Sequence, residues 1–330
     1  MSLFVQGLGA VSSAGWGVPN LLKNLLSGVT PETLPMGKNG VEHPCLPVPK
    51  KPSTLTYLNH PRLRRASPLS LYGAAASAEA LGITAGLTAP SAHLGVICCV
   101  TSGCVNYTAR FFEETLRDPS QASPLLFPET VFNAPASHIA ALLQITGPNY
   151  TLVGDAGTFA QALALAGYWL EEDKLQGCLV IGAEELDWLN AEALSLTHPN
   201  RKLSAGAGAL FLAKNQEKSL AKIEKITDSF NYSNYSRSDA CQGVRRQLEP
   251  TGDDSVLLSL SGEAFEMQAW RDCPGLKLIP RLFLGESLAA SGALQVVSSI
   301  AAMQPLHKTK AFVSIAGLNE QAIGCLFSTA

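Results

Sequence analysis

A chain of 330 residues with 46% hydrophobic side chains has ample material for a buried core, and its net charge of −3 argues against nucleic acid as the main partner. No apolar run is long enough to span a bilayer. No basic stretch precedes the short apolar start, which Gly7 and Gly9 interrupt, so neither a membrane anchor nor a signal peptide is expected. The 8 cysteines are scattered, and Cys98, Cys99 and Cys104 cluster without zinc-ligand spacing; they read as buried, reduced thiols of a cytoplasmic protein that needs no metal.

Leu3 to Gln6 reads as a strand and Gly17 to Leu26 as a helix with apolar residues at helical spacing. Gly37 to Pro61, rich in Pro and Lys, reads as loop. Pro68 to Leu81 is an Ala-rich helix, Leu94 to Val100 a fully apolar strand, and Asn106 to Leu116 an amphipathic helix. After the central segment taken up below, Ala207 to Leu212 is a short apolar strand and Asn215 to Gly252 a polar surface excursion. Strands then follow at Val256 to Leu260, Leu276 to Ile279, Lys310 to Ser314 and Ile323 to Phe327, with a long small-residue helix at Leu288 to Met303. Strands alternating with helices predict a parallel-rich sheet covered on both faces. Length suggests two domains, but α/β chains of this size often form one unit, and one domain over residues 1–330 is the expectation here.

The segment from Gly147 to Glu185 builds a nucleophile site and omits the nucleophile. Tyr150 to Val153 is a strand, Gly154-Asp155-Ala156-Gly157 a tight turn, and Thr158 to Leu170 an Ala- and Leu-rich helix. Lys174 to Gly177 turns the chain, and Cys178 to Ile181 returns as a strand ending in Gly182-Ala183-Glu184-Glu185. A strand, a sharp elbow and a helix lift one side chain onto a helix N-terminus, where unpaired N–H groups favour an anion. An enzyme places Cys or Ser there. This chain has Ala156.

From Gly147-Pro148 through Gly182-Ala183-Glu184 the chain resembles, without a gap, the nucleophile segment of β-ketoacyl synthases, the condensing enzymes of the thiolase fold. The resemblance extends to Gly7-Leu8-Gly9-Ala10-Val11-Ser12, Arg64-Arg65, Phe127-Pro128 and Asn133-Ala134-Pro135-Ala136. It continues through Ser204 to Leu212, Gly285 to Ala293 and the gating loop within Ser314 to Ala322. It implies an α/β thiolase-like fold of mixed and parallel sheets layered with helices and internally duplicated, with pseudo-repeat halves of roughly 1–190 and 191–330. Read alone, Gly7 and Gly9 suggest a dinucleotide loop, but Ser12 holds the place of its last glycine, and no cofactor is expected.

The departures from that family bear on function. The resemblance puts the acylated Cys on Ala156, the first catalytic His on Ser261 and the second on Glu286, while the family's supporting Lys becomes Arg281. The gating loop reads Ala316-Gly317-Leu318-Asn319. A ketosynthase needs the Cys to hold the acyl chain and the two His to stabilise the enolate. The resemblance therefore implies a noncatalytic subunit of the chain-length-factor type. Its partner would be an active β-ketoacyl synthase, in a heterodimer serving type II fatty acid or polyketide synthesis.

The shortened chain and the Phe127 to His138 segment resemble the ketosynthase-like subunits of aryl polyene clusters. Phe132 and Asn133 would line the partner's acyl tunnel or the interface; the other reading of Phe132 is ordinary core. Two further functions stay open. Asp155 and Glu286 would act as acid and base of a hydrolase if they meet, against the plainer reading that Asp155 caps a helix and Glu286 pairs with Arg281. Alternatively the chain binds acyl groups or an acyl carrier protein, through Arg62, Arg64 and Arg65 with Lys50 and Lys51, if these are more than a solvated loop. None of the six histidines stands in a Ser-His-Asp arrangement.

Overall fold

The computed structural model describes residues 3–38, 40–83, 93–172, 175–250 and 254–330. The first half runs β1 (Leu3–Ser12), β2 (Gly15–Trp16), α1 (Val18–Ser27), β3 (Leu34–Lys38), β4 (Val41–Cys45), α2 (Pro68–Ala80), β5 (Leu94–Val100), α3 (Val105–Arg117) and α4 (Ala134–Leu142). Then come β6 (Asn149–Val153), α5 (Thr158–Glu171), β7 (Gly177–Glu184), α6 (Trp188–Thr197) and β8 (Gly206–Ala213). The rest is β9 (Ala221–Ile226), β10 (Phe230–Asn231), α7 (Arg237–Leu248), β11 (Val256–Leu260), α8 (Ala264–Ala269), β12 (Leu276–Leu278), α9 (Arg281–Leu284), α10 (Ala289–Met303), β13 (Lys310–Ala316) and β14 (Gln321–Ser328). Lys174, where a turn is expected, and Gly252, the end of the expected excursion, lie outside the described residues.

The main sheet has the order β12-β11-β13-β14-β9-β1-β8-β7-β5-β6. Two five-strand sets repeat one pattern. In the first, β5 is parallel to β6 and β7, β7 is antiparallel to β8, and β8 to β1. In the second, β11 is parallel to β12 and β13, β13 is antiparallel to β14, and β14 to β9. The sets join through antiparallel β1 and β9. Helices α2 and α4 share an apolar core with β5 and β7. Helices α5 and α10 share another with both strand sets, and α7 and α8 cover the second set. Small residues let α10 approach: a Cβ on Gly182 would stand 2.7 Å from the Ala293 Cβ, and one on Gly208 2.7 Å from the Ala293 backbone.

Three expectations are corrected. The sheet is mixed rather than parallel-rich, because antiparallel β14, β9, β1 and β8 fill its middle between the two parallel sets. The span read as loop, Gly37 to Pro61, contributes to a hairpin in which Leu34 pairs with Cys45 and Lys38 with Val41. The span read as a surface excursion, Asn215 to Gly252, contains β9, which lies mid-sheet between β1 and β14, and α7. Strand β9 reads Ala-Lys-Ile-Glu-Lys-Ile and fully buries only Ala221 and Ile223, so it resembles a polar surface in sequence. Helix α7 buries Ala240, Cys241, Val244 and Leu248 between charged residues, and Ser236 caps it by accepting from Asp239 N. Helix α6, in a span for which no element is predicted, fully buries only Ala191 and Leu194.

Candidate functional site

Strand β6 ends at Val153, and the turn to α5 puts Ala156 in the core, 2% exposed. Helix α10 closes over it: a Cβ on Gly292 would meet the Ala156 carbonyl oxygen at 2.0 Å. Thr101, just beyond β5, ties the surroundings together. Its hydroxyl donates to Gly154 O at 2.7 Å and accepts from Ala289 N, the start of α10, at 2.9 Å.

Asp155 faces the 317–321 loop. Its Oδ1 accepts from Gly157 N at 3.0 Å and its Oδ2 from Glu320 N at 3.0 Å, while its own N–H donates to Glu320 Oε2 at 3.2 Å. The helix cap position itself is Gly157, so Asp155 closes the turn before α5 rather than capping it. A Cβ on Gly317 would stand 1.7 Å from Asp155 Oδ2, which leaves room only for glycine there. Burial pushes the Asp155 carboxyl upward, against the N–H groups that stabilise its anion.

Ser261 is a buried strap. Its hydroxyl donates to Gln295 Oε1 at 3.1 Å and accepts from Ala316 N at 2.9 Å. Gln295 Nε2 donates to Ser314 O at 2.8 Å. Beside it, Glu266 accepts from Gly262 N at 2.9 Å and Ser314 Oγ at 2.7 Å; burial pushes its carboxyl up to about 7.

Glu286 is hydrogen-bonded through one oxygen and ion-paired through the other. Oε1 accepts from Leu288 N and Ser291 Oγ, both at 2.8 Å. Oε2 lies 3.1 Å from Arg281 Nε and 3.6 Å from Arg201 Nη1. Glu263 Oε1 takes the other side of both arginines, at 2.5 Å from Arg201 and 3.2 Å from Arg281. Arg201, Glu263, Arg281 and Glu286 thus form a closed, charge-neutral ring. It borders a cavity of about 380 Å³ whose lining includes Lys202, Ser261, Gly262 and Glu286 but neither Asp155 nor Ala156. Glu286 therefore pairs with Arg281 as expected, and no hydrogen bond joins it to Asp155. Arg201 and Glu263 escaped the sequence reading.

Phe132 and Asn133 lie elsewhere, on the surface between the turn at Phe127–Glu129 and α4. Phe132 is 46% exposed, with its ring on Gly103. His138 is a hydrogen-bonded helix residue, with Nε2 2.9 Å from Glu129 Oε1. Helix α3 buries none of its side chains completely, and Phe112, Leu116, Phe127, Tyr150 and Val153 are exposed. Among the described residues no group of three or more His, Cys, Asp or Glu is placed to hold a metal, and no helix is long and apolar enough to cross a membrane.

This is the thiolase-like fold of ketosynthases and chain length factors. Neither a protein-family profile nor a curated sequence matches the chain. Solved structures match over its whole length. The ishigamide ketosynthase/chain length factor is 17% identical with a TM-score of 0.84, covering 100% of this chain and 99% of its own. A β-ketoacyl synthase from Burkholderia phymatum STM815 is 16% identical with a TM-score of 0.79, covering 100% and 99%. A ketosynthase in complex with its chain length factor from Xenorhabdus doucetiae is 14% identical with a TM-score of 0.76, covering 100% and 98%.

Proposed function

We propose that this chain is a noncatalytic, chain-length-factor-type subunit, one domain with two pseudo-repeat halves, that pairs with an active β-ketoacyl synthase in type II fatty acid or polyketide synthesis of the aryl polyene kind. The observation that carries the reading is the environment of position 286. An enolate donor must offer a hydrogen to the reacting oxygen. Glu286 is instead an acceptor: its Oε1 takes hydrogens from Leu288 N and Ser291 Oγ, and its Oε2 lies 3.1 Å from Arg281 Nε and 3.6 Å from Arg201 Nη1.

Position 261 holds a serine committed to Gln295 and Ala316, and position 156 offers only a methyl group sealed from the cavity. The separate anchorage of Asp155 and Glu286 leaves the hydrolase reading without its acid–base pair. The open outer edge of β6, with Tyr150 and Val153 exposed, supports a partner chain. So do the similar structures that hold a ketosynthase with its chain length factor, and one in which an acyl carrier protein accompanies its ketosynthase. The working place of such a complex is the cytoplasm, with acyl carrier protein as the transient partner.

Co-expression with a Cys-His-His ketosynthase, followed by size exclusion and a condensation assay, tests this. A stable complex that condenses, with no turnover by the chain alone, is the expected result. Turnover by the isolated chain overturns the reading.

A further inference from the structure

A second cavity, also about 380 Å³, lies between β1, the start of α1 and α2, and shares no lining residue with the degenerate site. Its walls include Trp16, Tyr57, Val11 and Leu55, and Glu79 reaches it from α2. That size and an apolar wall with few polar groups fit a small-molecule site.

Glu79 is fixed in place. Its Oε2 accepts from Ala10 N at 2.9 Å and its Oε1 from Val18 N at 2.8 Å. Each oxygen takes one N–H and retains acceptor capacity. The first turn of α1 offsets part of the charge through its dipole. No Lys, Arg or His among the described residues forms an ion pair with Glu79, and burial pushes its carboxyl upward. The Tyr57 phenol is pushed up to about 12, by burial first and by the charge of Glu79 second. The indole is also set: Trp16 Nε1 donates to Pro49 O at 2.8 Å, and its ring meets Tyr72 edge-on at 5.8 Å. A rigid carboxylate without a cation, flanked by two aromatic rings, is complementary to a cation carrying an apolar body.

We propose that this cavity binds a small organic ammonium compound, with its nitrogen on Glu79 and its apolar body between Trp16 and Tyr57. The proposal does not rest on the subunit reading above.

The test is calorimetric titration of the full chain, or of its purified complex, with benzylamine, benzyl alcohol and benzoate. Benzylamine should bind at least tenfold more tightly than the isosteric alcohol, and benzoate not at all. Glu79→Gln keeps an acceptor for the backbone N–H groups and should remove that tenfold preference, leaving the alcohol unchanged. Equal binding of amine and alcohol, no amine binding, or an unaltered preference in Glu79→Gln overturns the proposal. Should Glu79→Gln fail to fold, the NMR signal of the Trp16 indole N–H in the unmutated, isotope-labelled chain decides. It should shift with benzylamine and not with benzyl alcohol; shifts confined to other sites overturn the proposal.

Discussion

Glu286 Oε2 sits 3.1 Å from Arg281 Nε, and the two side chains are almost wholly buried. Because Glu263 and Arg201 close the ring, each charge has partners of opposite sign on two sides. Removing one member of a buried ion pair leaves an uncompensated charge, which costs more than the intact pair contributes.

Glu286→His, which would supply the histidine of an active ketosynthase, should therefore destabilise the fold by ~3–5 kcal/mol rather than bring activity back. Denaturant midpoints of Glu286→His, Arg281→Met and the double variant check it. The double variant should be more stable than the sum of the single losses predicts. Additive losses would mean that the pair does not act as a unit.

The second expectation is thiol inertness. The 8 cysteines are all free and buried. Burial pushes Cys45 up to about 11 and Cys98 and Cys104 up to about 12, so thiolate is scarce near neutrality. An electrophile that labels ketosynthase cysteines should leave the intact mass unchanged. Ala156→Cys alone should not condense substrate, because the enolate still lacks two donors, each worth ~3–4 kcal/mol of barrier. Stoichiometric acylation of any native residue in the 155–156 turn would sink this prediction.

What the sequence disclosed follows from how local each feature is. The missing nucleophile at Ala156 was legible because strand, turn and helix are consecutive in the chain. Arg281 and Glu286 were legible because they lie close in sequence, Arg281 at the start of α9 and Glu286 just beyond its end. Arg201 and Glu263 come from distant segments and meet them only through tertiary packing, so no spacing announces the ring. Likewise β9 sits mid-sheet on two buried residues, and its lysines and glutamate outweigh the short apolar signal. Thr101 looks like any loop threonine until β5, the nucleophile turn and α10 converge on its hydroxyl.

Glu184 gives a pH prediction. At the end of β7 it accepts from Thr101 N and Ser102 N, and burial pushes its carboxyl up to about 8, with the charge of Asp187 adding to the rise. A carboxyl raised from an unfolded value near 4.5 makes the folded state bind its proton more tightly. Its contribution is full below that unfolded value and is lost as pH rises through about 8. Between pH 6 and 9 stability should fall by about 2–3 kcal/mol through this group. Glu184→Gln should flatten the dependence of the denaturant midpoint on pH. A variant with the unmutated slope would assign the titration elsewhere.

The free edge of β6 gives the assembly prediction. Its five residues carry no charge, and among the described strands it pairs only with β5. Uncharged open edges recruit other strands. The chain expressed alone should self-associate or be poorly soluble. Co-expression with its ketosynthase should give a stable 1:1 heterodimer with more than ~2,000 Å² buried. Val153→Lys should improve solubility of the isolated chain and weaken the heterodimer in size-exclusion runs. A soluble monomer that ignores the ketosynthase would count against the subunit reading.

Phe132 carries the last prediction. The ring lies on Gly103, where φ is 68° and an added Cβ would stand 2.9 Å from Phe132 Cδ1, so no side chain fits beneath it. With 46% of the residue exposed in the single chain, Phe132→Ala should cost about 1 kcal/mol, against the ~3–5 kcal/mol of a core phenylalanine. The exposed ring is then free to meet a partner. If it enters the ketosynthase's acyl tunnel, the alanine lengthens or blurs the product distribution while the heterodimer stays intact. Product lengths by mass spectrometry, with a melting curve of the purified complex, separate the roles. A large stability loss with uniformly reduced products would return Phe132 to the core. An unchanged profile in an equally stable complex would leave it neither tunnel wall nor packing residue.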